Sequence, residues 1–303
     1  MRDDLIAVFR RMTRNKASTL FILFLLALAI AINACVFSVA YGMLWKPLPF
    51  PAQDRLVQLT TRSVKMGIDL GWSVPYLAAV TKEGQQLEVI AAYQKKEVSV
   101  ADSSGNYSGT SEILMAEPQL FSLLGARPEM GRLFSADDSK QGADPVVIIG
   151  ADLWQARFGK SNSVLEQKMY LGGKAYRIVG ILPESFGFPS RTNQIWLPMG
   201  FSEDELSMSN AGSFGSLRAI GLLKSSSTMG GADAEMMKVI RADPGLKGIA
   251  DEIDLQITAQ PLRNLWLYGR KNSLISMLVA ALLVLGVTIA NVYNLFMLRL
   301  LRR

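Results

Sequence analysis

The sequence predicts an α+β extracytoplasmic domain flanked by two transmembrane α-helices. Two uncharged apolar runs, at 17–44 and 273–298, each exceed the roughly 20 residues that a helix needs to cross a bilayer. Residues 45–272 lie between these runs and mix strand-like and helix-like patterns without a Gly-rich phosphate loop. Half of the chain is hydrophobic, which is high for a soluble protein of 303 residues.

The charges beside the two apolar runs predict the orientation. Residues 1–16 and 299–303 contain eight of the 32 basic residues and two of the 26 acidic ones, which leaves 24 of each sign in between. Positive flanks stay in the cytoplasm, so both termini are expected inside and residues 45–272 outside. The excess positive charge therefore lies at the membrane surface, where it favours anionic lipids as partners and not nucleic acid.

Two sets of side chains are predicted to anchor the spans at the membrane interfaces. Amphipathic aromatic rings favour the outer interface and basic residues the inner one. The predicted anchors are Arg10, Arg11, Arg14, Lys16, Tyr41, Trp45, Trp266, Tyr268, Arg302 and Arg303. Residues 1–16 also place apolar residues on one helical face, which predicts a cytoplasmic amphipathic helix on the inner leaflet. The alternative is that residues 1–16 form no amphipathic helix and serve only as a positively charged flank before the first span.

The region between the spans is predicted to contain several short elements. A helix is expected at 73–89, with Ser73 as its cap and Pro75 in its first turn. Another helix is expected at 151–158, ending at Gly159, and a β-hairpin is expected around the Gly172-Gly173 turn. The alternating segment 252–260 predicts a half-buried strand.

The residue content argues against an active site in this chain. The sequence has no His and one Cys, which excludes His-based acid–base catalysis and His-ligated or multi-cysteine metal sites. Gly172-Gly173-Lys174 lacks the pattern of a nucleotide-binding loop. The acidic pairs Asp137-Asp138 and Asp251-Glu252 are expected in solvated turns. We therefore expect no catalytic residue, metal site or cofactor in this chain.

Polar and small residues inside the spans are predicted to pack helices together. Gly286 and Ala290 lie one turn apart and allow close approach of another helix. Asn33, Asn291 and Asn294 can form hydrogen bonds between helices. A solute path lined by these asparagines is the alternative interpretation.

An ordered series of short motifs covers nearly the whole chain. The series includes LPFP at 48–51, FSLLGARP at 121–128, GRLF at 131–134, LGGKAYRIVGILP at 171–183 and ANVYNLF at 290–296. In this series the chain resembles the permeases of MacB/FtsX-type ABC exporters with a MacB-like periplasmic core. It is most similar to the acidobacterial-type duplicated orphan permeases.

The resemblance implies a domain organisation. One subdomain of the ectodomain is inserted in the other, with the insert at 113–214 and the discontinuous part at 46–112 plus 215–265. It further implies a bacterial inner-membrane subunit without catalytic residues, in which ATP and Mg belong to a partner ABC ATPase. The resemblance is also compatible with a periplasmic adaptor as a further partner.

The chain departs from the family pattern at its C-terminal end. The family has a coupling segment and two more spans after the second span, whereas this sequence ends at Arg303. The sequence leaves three interpretations of this chain open. It is half of a split permease that needs a complementary permease subunit, an accessory subunit, or a truncated chain. A two-span regulatory or scaffold protein, whose ectodomain binds a peptide, a lipoprotein or a cell-wall enzyme without transport, is the alternative function.

Overall fold

The computed structural model describes residues 16–101, 107–267 and 271–301. These residues form two compact units, one from Leu48 to Leu265 and one that contains the two apolar helices. The first unit is the ectodomain, and the second is called the helix pair. Mixed α and β structure between two long apolar helices confirms the predicted fold class.

Nine α-helices are described. They are α1 (Lys16–Leu44), α2 (Val74–Glu83), α3 (Gln119–Leu123), α4 (Ala151–Phe158), α5 (Glu203–Leu206), α6 (Met229–Ala242), α7 (Pro244–Glu252), α8 (Asn264–Leu267) and α9 (Lys271–Leu301). The long helices α1 and α9 match the predicted spans to within three residues at each end. Helix α4 has the predicted bounds and ends at Gly159, whose φ of 59° is left-handed.

Eleven β-strands are described in one sheet. They are β1 (Leu56–Ser63), β2 (Ile68–Leu70), β3 (Leu87–Ala101), β4 (Tyr107–Ala116), β5 (Met130–Gly131), β6 (Val146–Gly150), β7 (Lys168–Leu171), β8 (Lys174–Leu182), β9 (Ile195–Pro198), β10 (Arg218–Leu223) and β11 (Leu255–Pro261). The main strand order is β11-β1-β10-β3-β4-β9-β6-β8-β5. Neighbours are antiparallel except for β4 with β9 and β6 with β8.

Two of the hydrophobic clusters among the described residues lie under different parts of this sheet. One lies between β1, β10 and β11 and the helices α2, α6 and α7, and it includes Trp72, Tyr76 and Leu246. The other lies around β6, β8 and β9 and includes Trp154. Strands β3 and β4 run from one cluster to the other, because Ala92 belongs to the first and Val100 and Ile113 to the second. The assignment of residues 113–214 to a separate, inserted subdomain stays a prediction.

The helix predicted at 73–89 is shorter in the structure, where α2 ends at Glu83 and β3 begins at Leu87. The N–H of Gly84 still bonds to the carbonyl of Val80. The next two N–H groups, of Gln85 and Gln86, instead donate to the carboxylate of Glu235 on α6, both at 2.8 Å. A side chain 150 residues away therefore turns the chain out of the helix and into the strand.

The prediction for 252–260 was wrong at its start, because α7 continues to Glu252 and β11 begins at Leu255. Helix α7 itself was not predicted. Its signals are nonetheless local: the Asp243 side chain accepts hydrogen bonds from the N–H groups of Gly245 and Leu246, and Pro244 occupies the first turn.

Candidate functional site

The two long apolar helices pack against each other along one face of each helix. Their less exposed residues recur at spacings of three or four, the pattern of a helix–helix seam. On α1 these residues are Leu26, Ala29, Asn33, Val36, Ala40 and Leu44, and on α9 they are Leu274, Leu278, Ala281, Leu285, Thr288 and Val292. Ala29, Ala40 and Ala281 are buried, so small side chains allow the close approach.

A groove between α1 and α9 shows that the two helices run in opposite directions. It is lined by residues 25–32, at the beginning of the seam on α1, and by residues 284–292, at the end of the seam on α9. Two parallel helices would instead bring the beginnings of both seams together. Among the described residues, α1 and α9 also contain stretches long and apolar enough to span a membrane, Leu23–Gly42 and Asn272–Asn294.

The residues predicted to pack helices fall on different faces of this pair. Asn33 lies on the seam, but its amide Nδ2 donates to the Ala29 carbonyl of its own helix at 2.9 Å. Asn291 is exposed and lines the groove. Gly286, Ala290 and Asn294 are exposed, and no atom of α1 lies within 4 Å of a Cβ built on Gly286. Gly286 and Ala290 therefore face away from α1, and their packing against another helix stays a prediction.

Only part of the predicted interface anchors lies within the described residues. Tyr41 and Trp45 are exposed, and the Tyr41 ring stacks on Phe37 with a centroid distance of 6.2 Å. Lys16 begins α1 and Trp266 lies in α8. The predicted anchors outside the described residues are Arg10, Arg11, Arg14, Tyr268, Arg302 and Arg303. The predicted amphipathic helix at 1–16 also lies outside them, apart from Lys16.

The acidic pair at 137–138 differs from the predicted solvated turn. Both carboxylate oxygens of Asp138 accept hydrogen bonds from the Arg132 guanidinium, at 2.6 and 2.9 Å. Asp138 also accepts from the N–H and the hydroxyl of Ser135, and its side chain is only 10% exposed. The Arg132 hydrogen bonds, followed by those from Ser135, lower the pKa of Asp138 to about 2. Asp137 stays solvated, as predicted, in an exposed ion pair with Lys140.

Gly131 is the first residue of the GRLF motif at 131–134, and the close packing of the backbone requires a glycine there. Its φ is 76°, and a Cβ on it would lie 2.2 Å from the carbonyl oxygen of Val179 in β8. The GRLF motif therefore holds the β5 segment against β8 through Gly131 and Arg132 and places Phe134 against Phe121, at a ring distance of 5.5 Å. Its role in the described structure is to shape the fold.

A cleft in the ectodomain was not predicted from the sequence. It lies where the chain returns from β9 to β10, and residues of β3, β4 and α2 complete its walls. The segment 213–216, SFGS, has the small and polar residues of an exposed turn, but the sequence did not indicate which elements would face it. Among the described residues, no group of three or more acidic, His or Cys side chains is placed to hold a metal ion.

The sequence profile of the MacB-like periplasmic core domain matches residues 19–239, more than half of the chain. The chain belongs to the MacB-like periplasmic core domain family. The predicted resemblance is confirmed. The matched region includes most of α1 as well as the ectodomain through most of α6. No curated protein sequence matches the chain significantly.

Solved structures are similar to the MacB-like chain at low sequence identity. The periplasmic region of MacB from Actinobacillus actinomycetemcomitans is 12% identical, with a TM-score of 0.52 over 74% of this chain and 95% of its own. A domain of a putative permease from Porphyromonas gingivalis is 16% identical, with a TM-score of 0.50 over 70% and 92%. The extracellular domain of the noncanonic ABC-type transporter YknZ from Gram-positive bacteria is 14% identical, with a TM-score of 0.47 over 67% and 98%.

The family and the two apolar helices together define the class of protein. The chain is a transporter-associated membrane protein of the ABC-permease type, with a MacB-like periplasmic domain between two apolar helices.

Proposed function

We propose that this chain is a non-catalytic transmembrane and periplasmic subunit of a MacB-like ABC export or mechanotransmission complex. The observation that carries the proposal is the match of the MacB-like profile across most of α1 and the ectodomain, in a chain whose second apolar helix follows the same domain. ATP and Mg then belong to a separate ABC ATPase subunit. A complementary permease subunit would supply further spans, and a periplasmic adaptor is a further partner.

The connection between the helices and the sheet supports a mechanical role. Helix α1 leads along the chain to β1, and β11 leads along the chain to α9. Strands β1 and β11 are antiparallel neighbours that pair over seven positions, from Val57 with Pro261 to Ser63 with Leu255. A displacement of α1 along α9 would therefore act on two directly hydrogen-bonded strands. Such coupling needs two states of the complex that nucleotide populates differently.

The proposed orientation places both termini in the cytoplasm of a bacterial cell and the ectodomain in the periplasm. The basic flanks at 1–16 and 299–303 support it, together with residues 45–272, in which 24 acidic and 24 basic residues balance. The same charge distribution supports membrane lipids, and not nucleic acid, as the partner of the basic residues.

The proposal is tested by isolating the tagged full-length chain from its native membrane in a mild detergent. We expect an ABC ATPase and a further membrane-spanning permease subunit to co-purify. In nanodiscs, ATP hydrolysis should require the ATPase subunit and should be lost when the phosphate-binding lysine of that subunit is replaced. The lone chain should hydrolyse no ATP.

The same experiment can contradict the proposal. If neither an ATPase nor further spans co-purify, while an extracytoplasmic enzyme or lipoprotein does, the chain is a two-span scaffold and not a transporter subunit. ATP hydrolysis that follows the lone chain through further purification would contradict the non-catalytic assignment.

A further inference from the structure

The ectodomain cleft has a cavity volume of about 290 Å³ and walls from several parts of the chain. Trp72 and Leu217 come from the segments before α2 and β10, Met115 from β4, and Met199 from the end of β9. Sites for drug-sized ligands are typically about 300–1,000 Å³. The cleft therefore fits a single long side chain better than a large substrate.

The floor of the cleft is apolar and adaptable. Trp72 is 2% exposed, and its indole N–H already donates to the carbonyl of Leu59 at 2.8 Å. Its ring therefore contributes apolar surface and no free donor. Met115 and Met199 add flexible thioether side chains, which adjust their shape to a bound group.

The rim of the cleft is acidic. Asp204 and Glu205 line it, and none of the fourteen lining residues is Lys or Arg. One carboxylate oxygen of Glu205 accepts hydrogen bonds from the N–H and hydroxyl of Ser202. Within the described part of the chain, the Asp204 carboxylate takes part in no hydrogen bond or ion pair. An apolar floor below an unpaired carboxylate favours a long side chain that ends in a cation.

We infer that this cleft binds one lysine or arginine side chain of a partner polypeptide. The aliphatic stem would lie on Trp72 and Met199, and the cationic group would reach Asp204 and Glu205. The mouth is bordered by the exposed residues Ser213, Gly215 and Ser216, which leave room for the backbone of a partner. Burial of the stem on the apolar floor and attraction of the cation to the carboxylates at the rim both contribute to binding.

The cleft lies at the edge of one hydrophobic cluster. Trp72, Met199 and Leu217 all belong to the cluster of α2, α6 and α7, and Met115 packs against both this cluster and the second one. A bound side chain would therefore extend the first cluster. The inference concerns only the ectodomain and does not depend on the proposed transport role.

The test uses the full-length chain in nanodiscs with ¹³C-methyl methionine. The probe is a capped Ala-Ala-Arg-Ala-Ala peptide, and the control peptide carries citrulline, which has the same shape without the charge. We expect the arginine peptide to shift the methyl signals of Met115 and Met199, which are assigned by Met115→Leu and Met199→Leu. The citrulline peptide should bind about fivefold more weakly.

Asp204→Asn should also weaken the arginine peptide about fivefold, because it removes the unpaired charge at the rim. Glu203→Gln is the matched control, since Glu203 is the neighbouring exposed acid and does not line the cleft. It should leave binding unchanged. Both positions are on the surface, and circular dichroism checks that both variants are folded.

Three results would overturn the inference. One is equal binding of the arginine and citrulline peptides, and another is equal weakening by Asp204→Asn and Glu203→Gln. The third is binding of agmatine, a free small cation with the same head group, under conditions where the arginine peptide does not bind. That result would assign the cleft to a free cation instead of a polypeptide.

Discussion

Gly71 and Gly215 meet backbone to backbone in the ectodomain. A Cβ placed on Gly71 would lie 1.6 Å from the carbonyl oxygen of Gly215. A backbone hydrogen bond beside this contact supports it: the N–H of Trp72 donates to the carbonyl of Leu217 at 2.8 Å. The hydroxyl of Thr61 also donates to the carbonyl of Gly71 at 3.0 Å. This contact fixes the wall of the cleft to the sheet.

We predict that Gly71→Ala strongly destabilises the ectodomain, because backbone atoms on both sides would have to move. The expected loss in free energy of unfolding is about 3 kcal/mol, measured by urea unfolding of the fragment 46–265. Gly215→Ala is the matched control, since nothing lies within 4 Å of a Cβ on Gly215. Equal effects of the two substitutions would show that the close backbone contact is not formed.

The second prediction concerns Asp138 and pH. The pKa of Asp138 is lowered to about 2 by Arg132 and Ser135, whereas it is about 3.9 in an unfolded chain. A carboxyl with a lowered pKa stabilises the fold at pH values above about 4, and this contribution is lost as the pH falls toward 2. Asp138→Asn should therefore cost about 1–2 kcal/mol near neutral pH, a value reduced because Arg132 is half exposed.

The measurement is urea unfolding of the same fragment near neutral pH and near pH 3, where the difference from wild type should shrink. Asp137→Asn is the control, because its ion pair with Lys140 is largely in solvent and should contribute no measurable stability. An Asp138→Asn effect that is independent of pH would mean that the carboxylate charge is not responsible.

The third prediction concerns membrane orientation. In a chain with Cys35→Ser, a cysteine placed at the exposed residue Asn162 should react with an impermeant thiol reagent in spheroplasts. A cysteine at Thr13 should react only after lysis, because the basic residues around it favour the cytoplasm. Reaction at Thr13 in intact spheroplasts would reverse the assigned orientation.

The fourth prediction separates the two faces of α9. Gly286 faces away from α1, so Gly286→Leu should reduce co-purification of partner spans. It should leave the helix pair intact, as measured by disulfide formation between cysteines placed at Ala29 and Thr288, which line the same groove. Ala29→Leu, tested separately, should disturb the pair itself because Ala29 is buried on the seam.

Asn291→Ala is the polar comparison on the same helix. It should weaken partner association only slightly, since a hydrogen bond between helices contributes about 0.6 kcal/mol on average. If Gly286→Leu associated normally while Asn291→Ala abolished transport, these residues would belong to a solute path and the packing interpretation would be wrong.

The sequence by itself determined the features that depend on neighbouring residues. Two uncharged apolar runs are enough to predict α1 and α9, because a helix satisfies all its backbone groups locally. Gly159 ends α4, and the Gly172-Gly173 turn sets the β7–β8 hairpin, because both glycines of that turn have positive φ. The ordered motifs likewise predicted the family before any contact was known.

The tertiary structure decided the features that depend on residues far apart in the chain. Glu235 ends α2 by accepting hydrogen bonds from the N–H groups of Gln85 and Gln86, about 150 residues away in the chain. The sequence of residues 73–89 alone does not predict this contact. Both spans are apolar on all faces in the sequence, and only their packing shows that Ala29 and Ala281 face the seam while Gly286 does not. The cleft likewise could be found only in the folded structure. Its floor, with Trp72, and its rim, with Asp204, come from segments that are far apart in the sequence.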